Sequence, residues 1–248
     1  MKTYSYLLNV IEKKRAAYLI LVDPDKISGE KLTSFVSACT KAGVDGFLIG
    51  GSLLMGGNLE AAIDTIKKGS DLPTIIFPGA VHQLYDRADA VLYISLISGR
   101  NAEHIIGKHI IAAPIIKRME LEAISTGYML IESGVKTTAE YISGSSPIPR
   151  NKPEIAVATA LAGQYLGMKF IYLEGGSGAQ YSVPKEMVSA VSKAVDIPVI
   201  VGGGIRTPEE ASEKIESGAK IVVTGNYFED EKNWDLLKEF ADAVHKKN

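Results

Sequence analysis

Short runs of consecutive apolar residues alternate with longer stretches in which apolar residues return every third or fourth position. The runs are Tyr18–Val22, Gly46–Ile49, Thr74–Phe77, Ala90–Ile94, Tyr128–Ile131, Phe170–Leu173, Pro198–Val201 and Lys220–Val223. Most are apolar on successive rather than alternate positions, the pattern of parallel strands covered on both faces. Between them the spacing predicts helices. Leu32, Phe35, Val36 and Cys39 fall on one helical face before Gly43, a C-terminal stop. Thr207-Pro208-Glu209-Glu210 holds a capping residue, a first-turn proline and a glutamate placed to close a capping box, and Gly218 ends that helix. Pro153 opens a further helix to about Leu166, and Leu7, Leu8 and Ile11 mark an amphipathic N-terminal helix.

The unit repeats weakly. Ala42–Ser52, Tyr165–Gly176 and Ser217–Asn226 each follow one plan: a helix-ending glycine, a polar residue, an apolar strand and a glycine-containing loop. Eight such strands without a break in composition predict an α/β protein, a single (β/α)8 TIM barrel over residues 1–248. A doubly wound open sheet is the competing architecture. The segment Ser143–Asn151 is the most loop-like and is expected to form a lid or substrate loop rather than a boundary.

Composition narrows the function. Of 248 residues, 46% are hydrophobic and 23% charged, as in an ordinary globular chain. The net charge of −2 leaves no basic excess for a phosphate backbone, so nucleic acid is not an expected partner. Cys39 is the only cysteine and the four histidines are scattered, which argues against disulfides, thiolate clusters and a zinc site. The apolar runs fall well short of the ~18 residues of a membrane span. The N-terminus lacks the apolar length and cleavage site of a signal peptide, so a cytoplasmic location is expected.

A barrel of this kind carries its chemistry at the C-terminal ends of its strands. There the sequence places Asp23-Pro24-Asp25, Gly50-Gly51-Ser52, Glu174-Gly175-Gly176-Ser177-Gly178, Gly202-Gly203-Gly204 and Thr224-Gly225-Asn226. The glycines after the seventh and eighth strands let backbone approach an anion and mark the usual phosphate seat of the fold, although tight turns alone also use glycine. Asp23, Asp25 and Ser52 form an oxygen-only set suited to Mg²⁺, which shares its shell with substrate phosphates. Asp23-Pro24 also reads as a turn and Asp25 as a helix cap. Glu174 stands beyond a buried strand, where a carboxylate can hold substrate hydroxyls or act as a base; an ordinary loop glutamate is the plainer alternative. No strand ends in lysine, which argues against Schiff-base chemistry. Cys39 and Trp234 read as packing residues, and His104 and His109 as surface or core.

Taken together, Leu-Val-Asp-Pro-Asp-Lys (21–26), Ile-Gly-Gly-Ser (49–52), Phe-Pro-Gly (77–79), Tyr-Ile-Ser-Leu (93–96), Pro-Ile-Pro-Arg-Asn-Lys-Pro-Glu-Ile-Ala (147–156), Tyr-Leu-Glu-Gly-Gly-Ser-Gly-Ala (172–179), Val-Gly-Gly-Gly-Ile-Arg (201–206) and Val-Thr-Gly-Asn (223–226) resemble the geranylgeranylglyceryl phosphate synthase family. The resemblance spans nearly the whole chain. It implies an Mg²⁺-dependent prenyltransferase that joins sn-glycerol 1-phosphate to geranylgeranyl diphosphate. It places the metal on Asp23 and Ser52, and glycerol phosphate on Tyr172, Leu173, Glu174, Gly175, Gly176, Ser177, Gly178, Gly203, Gly204, Gly225 and Asn226. The shorter heptaprenyl branch is similar but carries lysine two positions before the first aspartate. Here Leu21 and the Asp-Pro-Asp stretch resemble the larger, archaeal-type group, and Gly175 departs from its common alanine.

A long isoprenoid needs an apolar groove. Between Phe77 and Tyr93 there is room only for a short helix, Val81 to about Arg87, so the barrel is expected to be modified around the third helix and open to a greasy channel there. Barrels of this class often associate, and a homo-oligomer is expected. Two other readings remain at this stage. One is a phosphate-sugar isomerase with Asp23 and Glu132 as its acid–base pair. The other is a phosphate-ligand-binding barrel without catalysis.

Overall fold

The computed structural model describes residues 1–245. Its strands are β1 (Ala17–Val22), β2 (Gly46–Ile49), β3 (Thr74–Ile76), β4 (Ala90–Leu96), β5 (Glu122–Leu130), β6 (Phe170–Glu174), β7 (Val199–Gly202) and β8 (Ile221–Thr224). They pair in parallel in chain order, and β8 returns to β1 to close the barrel. The helices are α1 (Thr3–Lys14), α2 (Gly29–Ala42), α3 (Leu59–Gly69), α4 (Lys108–Arg118), α5 (Thr138–Ser143), α6 (Pro153–Tyr165), α7 (Lys185–Ala194), α8 (Pro208–Glu216) and α9 (Leu237–His245). The closed barrel, not the open sheet, is the architecture. Among the described residues no helix is long and apolar enough to cross a membrane.

Two apolar layers follow from strands buried on both faces. Leu19, Leu48, Ile75, Leu92, Ile200 and Ile221 point into the barrel, where Leu7 and Val10 of α1 cover the N-terminal mouth. Alternate strand residues such as Ile20, Phe47, Val91 and Val201 meet the helices, together with Phe35 and Cys39 of α2. Trp234 tilts against Phe35 and donates its indole N–H to the Phe228 carbonyl, a packing role as expected. The capping box at α8 forms one residue early: Thr207 accepts from the Glu210 N–H, while the Glu210 carboxylate accepts from Arg206.

Two elements depart from the sequence reading. β5 begins at Glu122 rather than Tyr128. Its first half is polar, yet it pairs with β4 throughout, and Glu122 accepts the Thr3 N–H at the start of α1. The expected short helix Val81–Arg87 is absent; that stretch is turns and bends. Its backbone needs are met locally, the Gln83 side chain accepting from Gly79 N–H and Gln83 N–H donating to Ala80. Asp64 on α3 holds the stretch from outside, accepting from the Tyr85 hydroxyl at 3.3 Å and pairing with Arg87 at 2.9 Å. The outer ring therefore has no helix between β3 and β4.

At the opposite end, Asp45 ties three elements together. Its carboxylate, 1% exposed, accepts from Lys14 Nζ at 2.6 Å, Tyr18 N–H at 2.8 Å and His245 Nε2 at 2.7 Å. Burial raises its pKa, but the bonds from His245, Lys14 and Tyr18 outweigh burial and hold it below the usual carboxylate value. A depressed folded pKa contributes stability above the unfolded value of about 4 that is lost as pH falls through the folded value. Asp45→Asn is therefore expected to cost about 1–3 kcal/mol at pH 7, with the difference from wild type shrinking below about pH 4. Urea unfolding at both pH values checks this, and an equal deficit at each would contradict it.

Candidate active site

The C-terminal ends of the strands surround one cavity of ≈ 510 Å³. Eleven of the fourteen residues singled out from the sequence lie on its wall: Asp23, Ser52, Tyr172, Glu174, Gly176, Ser177, Gly178, Gly203, Gly204, Gly225 and Asn226. Three do not. Leu173 is buried in the layer facing the helices, and Gly175 donates to the Gly202 carbonyl in the β6–β7 ladder. Asp25 turns its carboxylate to the N–H groups of Met55, Gly56 and Gly57, which hold its pKa down. It organises the loop after β2.

Glu174 ends β6 and is 5% exposed. Burial pushes its pKa up to about 7, against the lowering effect of the Gly176 N–H that donates to Oε1 at 2.6 Å. Gly202 and Gly203 create the room for it. A Cβ on Gly202 would collide with the Tyr172 hydroxyl, and one on Gly203 with Glu174 Oε1. Gly203 and Gly204 also hold successive positive φ values, +82° and +72°, open to glycine at little cost. Arg206, which no role singled out beforehand, fastens this rim: its guanidinium donates to the carbonyls of Ala179 at 2.6 Å and Gln180 at 3.2 Å. The β7 and β6 loops are thereby joined into one glycine-rich wall.

Across the mouth, Asp23 is half-buried, and desolvation raises its pKa while the Asp25 N–H, donating to Oδ1 at 2.9 Å, opposes the rise. Oδ2 faces Gly51, where a Cβ would lie 3.3 Å away. Asp23 and Ser52 both line the cavity on this side. Among the described residues there is no cluster of three or more His, Cys, Asp or Glu side chains able to hold a metal. A carboxylate and a hydroxyl on one cavity wall suit a hard cation that completes its shell with water and phosphate.

The cavity also leaves the barrel sideways. Where no helix lies between β3 and β4, its wall is Val81, Leu84, Val91, Tyr93, Ala112 and Ile116. This is the apolar channel expected from the short β3–β4 connection, opened by the missing helix. His104, Lys108 and His109 line it too, so the two histidines are cavity residues rather than plain surface or core. His109 packs edge-on to Tyr93, centroids 4.4 Å apart, and burial lowers its pKa. The α5 residues Ala139 and Ile142 reach the wall with Ser143. Further along the segment expected as a lid, Ile148 pairs with Ile131, and Arg150 donates to the carbonyls of Glu132 and Ser182. Glu132 itself is exposed and off the cavity wall, so it forms no acid–base pair with Asp23.

A closed (β/α)8 barrel with a glycine rim, a buried carboxylate and a facing oxygen pair belongs among the TIM-barrel enzymes that handle anionic substrates. Residues 9–244 match the PcrB family model, and the chain belongs to the PcrB family. It is 43% identical to the geranylgeranylglyceryl phosphate synthase of Chitinophaga pinensis, over 98% of this chain and 96% of that protein. It is 40% identical to the enzyme of that name from Pyrococcus horikoshii, over 98% and 95%. The crystal structure of (S)-3-O-geranylgeranylglyceryl phosphate synthase from Thermoplasma acidophilum with sn-glycerol-1-phosphate superposes with a TM-score of 0.91 at 31% identity, covering 99% of both chains.

The buried carboxylate has a stability consequence. A glutamate whose folded pKa lies above its unfolded value binds its proton more tightly when folded, so the fold loses stability as pH rises from about 4.5 to about 7. Glu174→Gln is expected to be neutral at pH 4 and to stabilise the protein by on the order of 2–3 kcal/mol at pH 8, several degrees in Tm. Calorimetry at the two pH values tests it; a variant less stable than wild type at pH 8 would be the contrary result.

Proposed function

We propose that this chain transfers a geranylgeranyl group from its diphosphate to sn-glycerol 1-phosphate, forming an ether and releasing diphosphate. One observation carries the reading: a single cavity joins a glycine rim fit for a phosphate, an oxygen pair fit for a metal and an apolar branch running out beside β4. Two anionic substrates, one with a long hydrocarbon tail, account for all three parts. The names of the relatives and the glycerol phosphate in the Thermoplasma complex support the same assignment.

In this mechanism the acceptor phosphate rests against Gly176, Ser177, Gly178, Gly203, Gly204, Gly225 and Asn226. Glu174 orients the glycerol hydroxyls and takes a proton as the C–O bond forms, a role suited to a carboxyl poised near neutrality. Tyr172 places its buried hydroxyl beside the Glu174 carboxylate and bonds to it, so that an acceptor hydroxyl meets the two groups together. The prenyl chain lies in the channel between β4 and α4. Asp23 and Ser52 would hold Mg²⁺, which when bound would offset the charge of the departing diphosphate. The whole site belongs to one domain, residues 1–248, working in the cytoplasm as a homo-oligomer. The outward isoleucines of α4, Ile106 just before it and Ile110 and Ile111 within it, offer an apolar face for that association.

The direct test is incubation of the protein with both substrates and product analysis, with and without Mg²⁺. Asp23→Asn is expected to remove nearly all turnover while the circular dichroism spectrum stays unchanged; equal activity in Mg²⁺ and in excess chelator would refute the metal assignment. Gly203→Val is expected to raise KM for glycerol phosphate at least tenfold more than KM for the prenyl donor, because a Cβ there collides with Glu174 and with the Gly175 and Gly176 N–H groups at the acceptor end of the cavity. Equal rises for both substrates would indicate a general disturbance instead.

A further inference from the structure

We infer that Phe77, Tyr128 and Tyr172 form an aromatic floor that stabilises positive charge on the transferred allylic group. The inference rests on the proposed prenyl transfer. The three rings come from the C-terminal ends of β3, β5 and β6, and all three line the cavity. Phe77 and Tyr172 lie nearly parallel, centroids 5.5 Å apart at 10°. Tyr128 stands edge-on to both, at 5.8 Å and 67° from Phe77 and 5.4 Å and 74° from Tyr172.

Filling the barrel does not by itself call for rings at this level. The inward layer of the barrel is mostly aliphatic, with Leu19, Leu48, Ile75, Leu92, Ile200 and Ile221, and Phe170 is the other buried ring that its strands contribute. The aromatic set occurs at the end that carries Asp23, Ser52 and Glu174, and Phe77 and Tyr128 are only partly buried, so they remain open to the cavity. Phe77 has no polar atom with which to hold either phosphate. Its chemistry is a ring.

The reaction gives those rings a task. As the bond between C1 of the donor and its diphosphate oxygen breaks, the electron pair leaves with the diphosphate. Positive charge spreads over C1 and C3 of the allylic group. The acceptor hydroxyl oxygen then supplies a pair to C1 and passes its proton to Glu174. C1 must lie between the oxygen pair at β1 and β2 and the carboxylate at β6, above the strands between them. Aromatic faces are negative and attract a cation, by a factor of about 30 when the site is desolvated. Unlike a second carboxylate, a ring cannot trap the cation as an ester.

The test replaces Phe77 with phenylalanines bearing one, two and three ring fluorines, which drain the ring face at nearly constant volume, and with Phe77→Leu. Single-turnover rates with geranylgeranyl diphosphate and glycerol 1-phosphate isolate the chemical step from product release. The rate is expected to fall stepwise with each fluorine, to reach a loss of about 30-fold in Phe77→Leu, and KM for both substrates to stay within about twofold. A flat rate across the fluorine series in an active enzyme, or a loss confined to donor KM, would overturn the ring assignment alone. Absence of turnover in the wild type would overturn the transfer reading and the inference with it.

Discussion

Glu174 keeps its carboxylate inside the barrel mouth because Gly202 and Gly203 leave it the room and Gly176 returns an N–H to one of its oxygens. A charge in that position is costly to bury, and the raised pKa is the measure of that cost. The surrounding geometry serves the arrangement. Successive left-handed glycines let the β7 loop pass close against the carboxylate, and Arg206 holds that loop against the one after β6. The anion rim and the buried acid are therefore one construction. A side chain at residue 203 would disturb both.

The two ends of the cavity are built to different tolerances. At the glycine end, positive-φ turns and the guanidinium of Arg206 leave little freedom, as the recognition of a small phosphate demands. The channel end is walled by α4, a helix that contains Pro114 and of whose residues only His109 and Ile116 are buried. A helix with few buried contacts sits at the low end of local stability. The same gap that removes a helix between β3 and β4 also removes one neighbour of α4. A flexible hydrocarbon chain makes no directional bonds, so a yielding wall loses nothing by it.

Much of this was legible beforehand because buried parallel strands are apolar on successive residues. Seven strands fall within a residue or two of their expected bounds, and the barrel rule then maps Asp23, Ser52, Glu174 and the glycines to one mouth. β5 escaped that logic: its polar first half is held by pairing to β4 and by α1, contacts distant in sequence. The same holds for the absent third helix, where Asp64 on α3 secures Tyr85 and Arg87 from outside. Asp25 and Glu132 sit at strand ends, as catalytic residues do, yet their partners are the loop at 55–57 and Arg150. Position along a strand says which end of the barrel a residue occupies and not which way its side chain turns.

The converse applies to residues the spacing did not single out. Phe77 and Tyr128 look like ordinary core when each is read within its own strand. Their meaning comes from closure, which brings β3, β5 and β6 around one axis so that three separate aromatics meet. His104, Lys108 and His109 likewise belong to a connection that reads as surface until the missing helix exposes it to the cavity. In a closed barrel, then, the chemistry of a strand-end residue is set less by its neighbours in the chain than by the residues that other strands deliver to the same level. That is why the polar poles of this site can be read one motif at a time, while its aromatic floor and its channel become visible only when the sheet is closed.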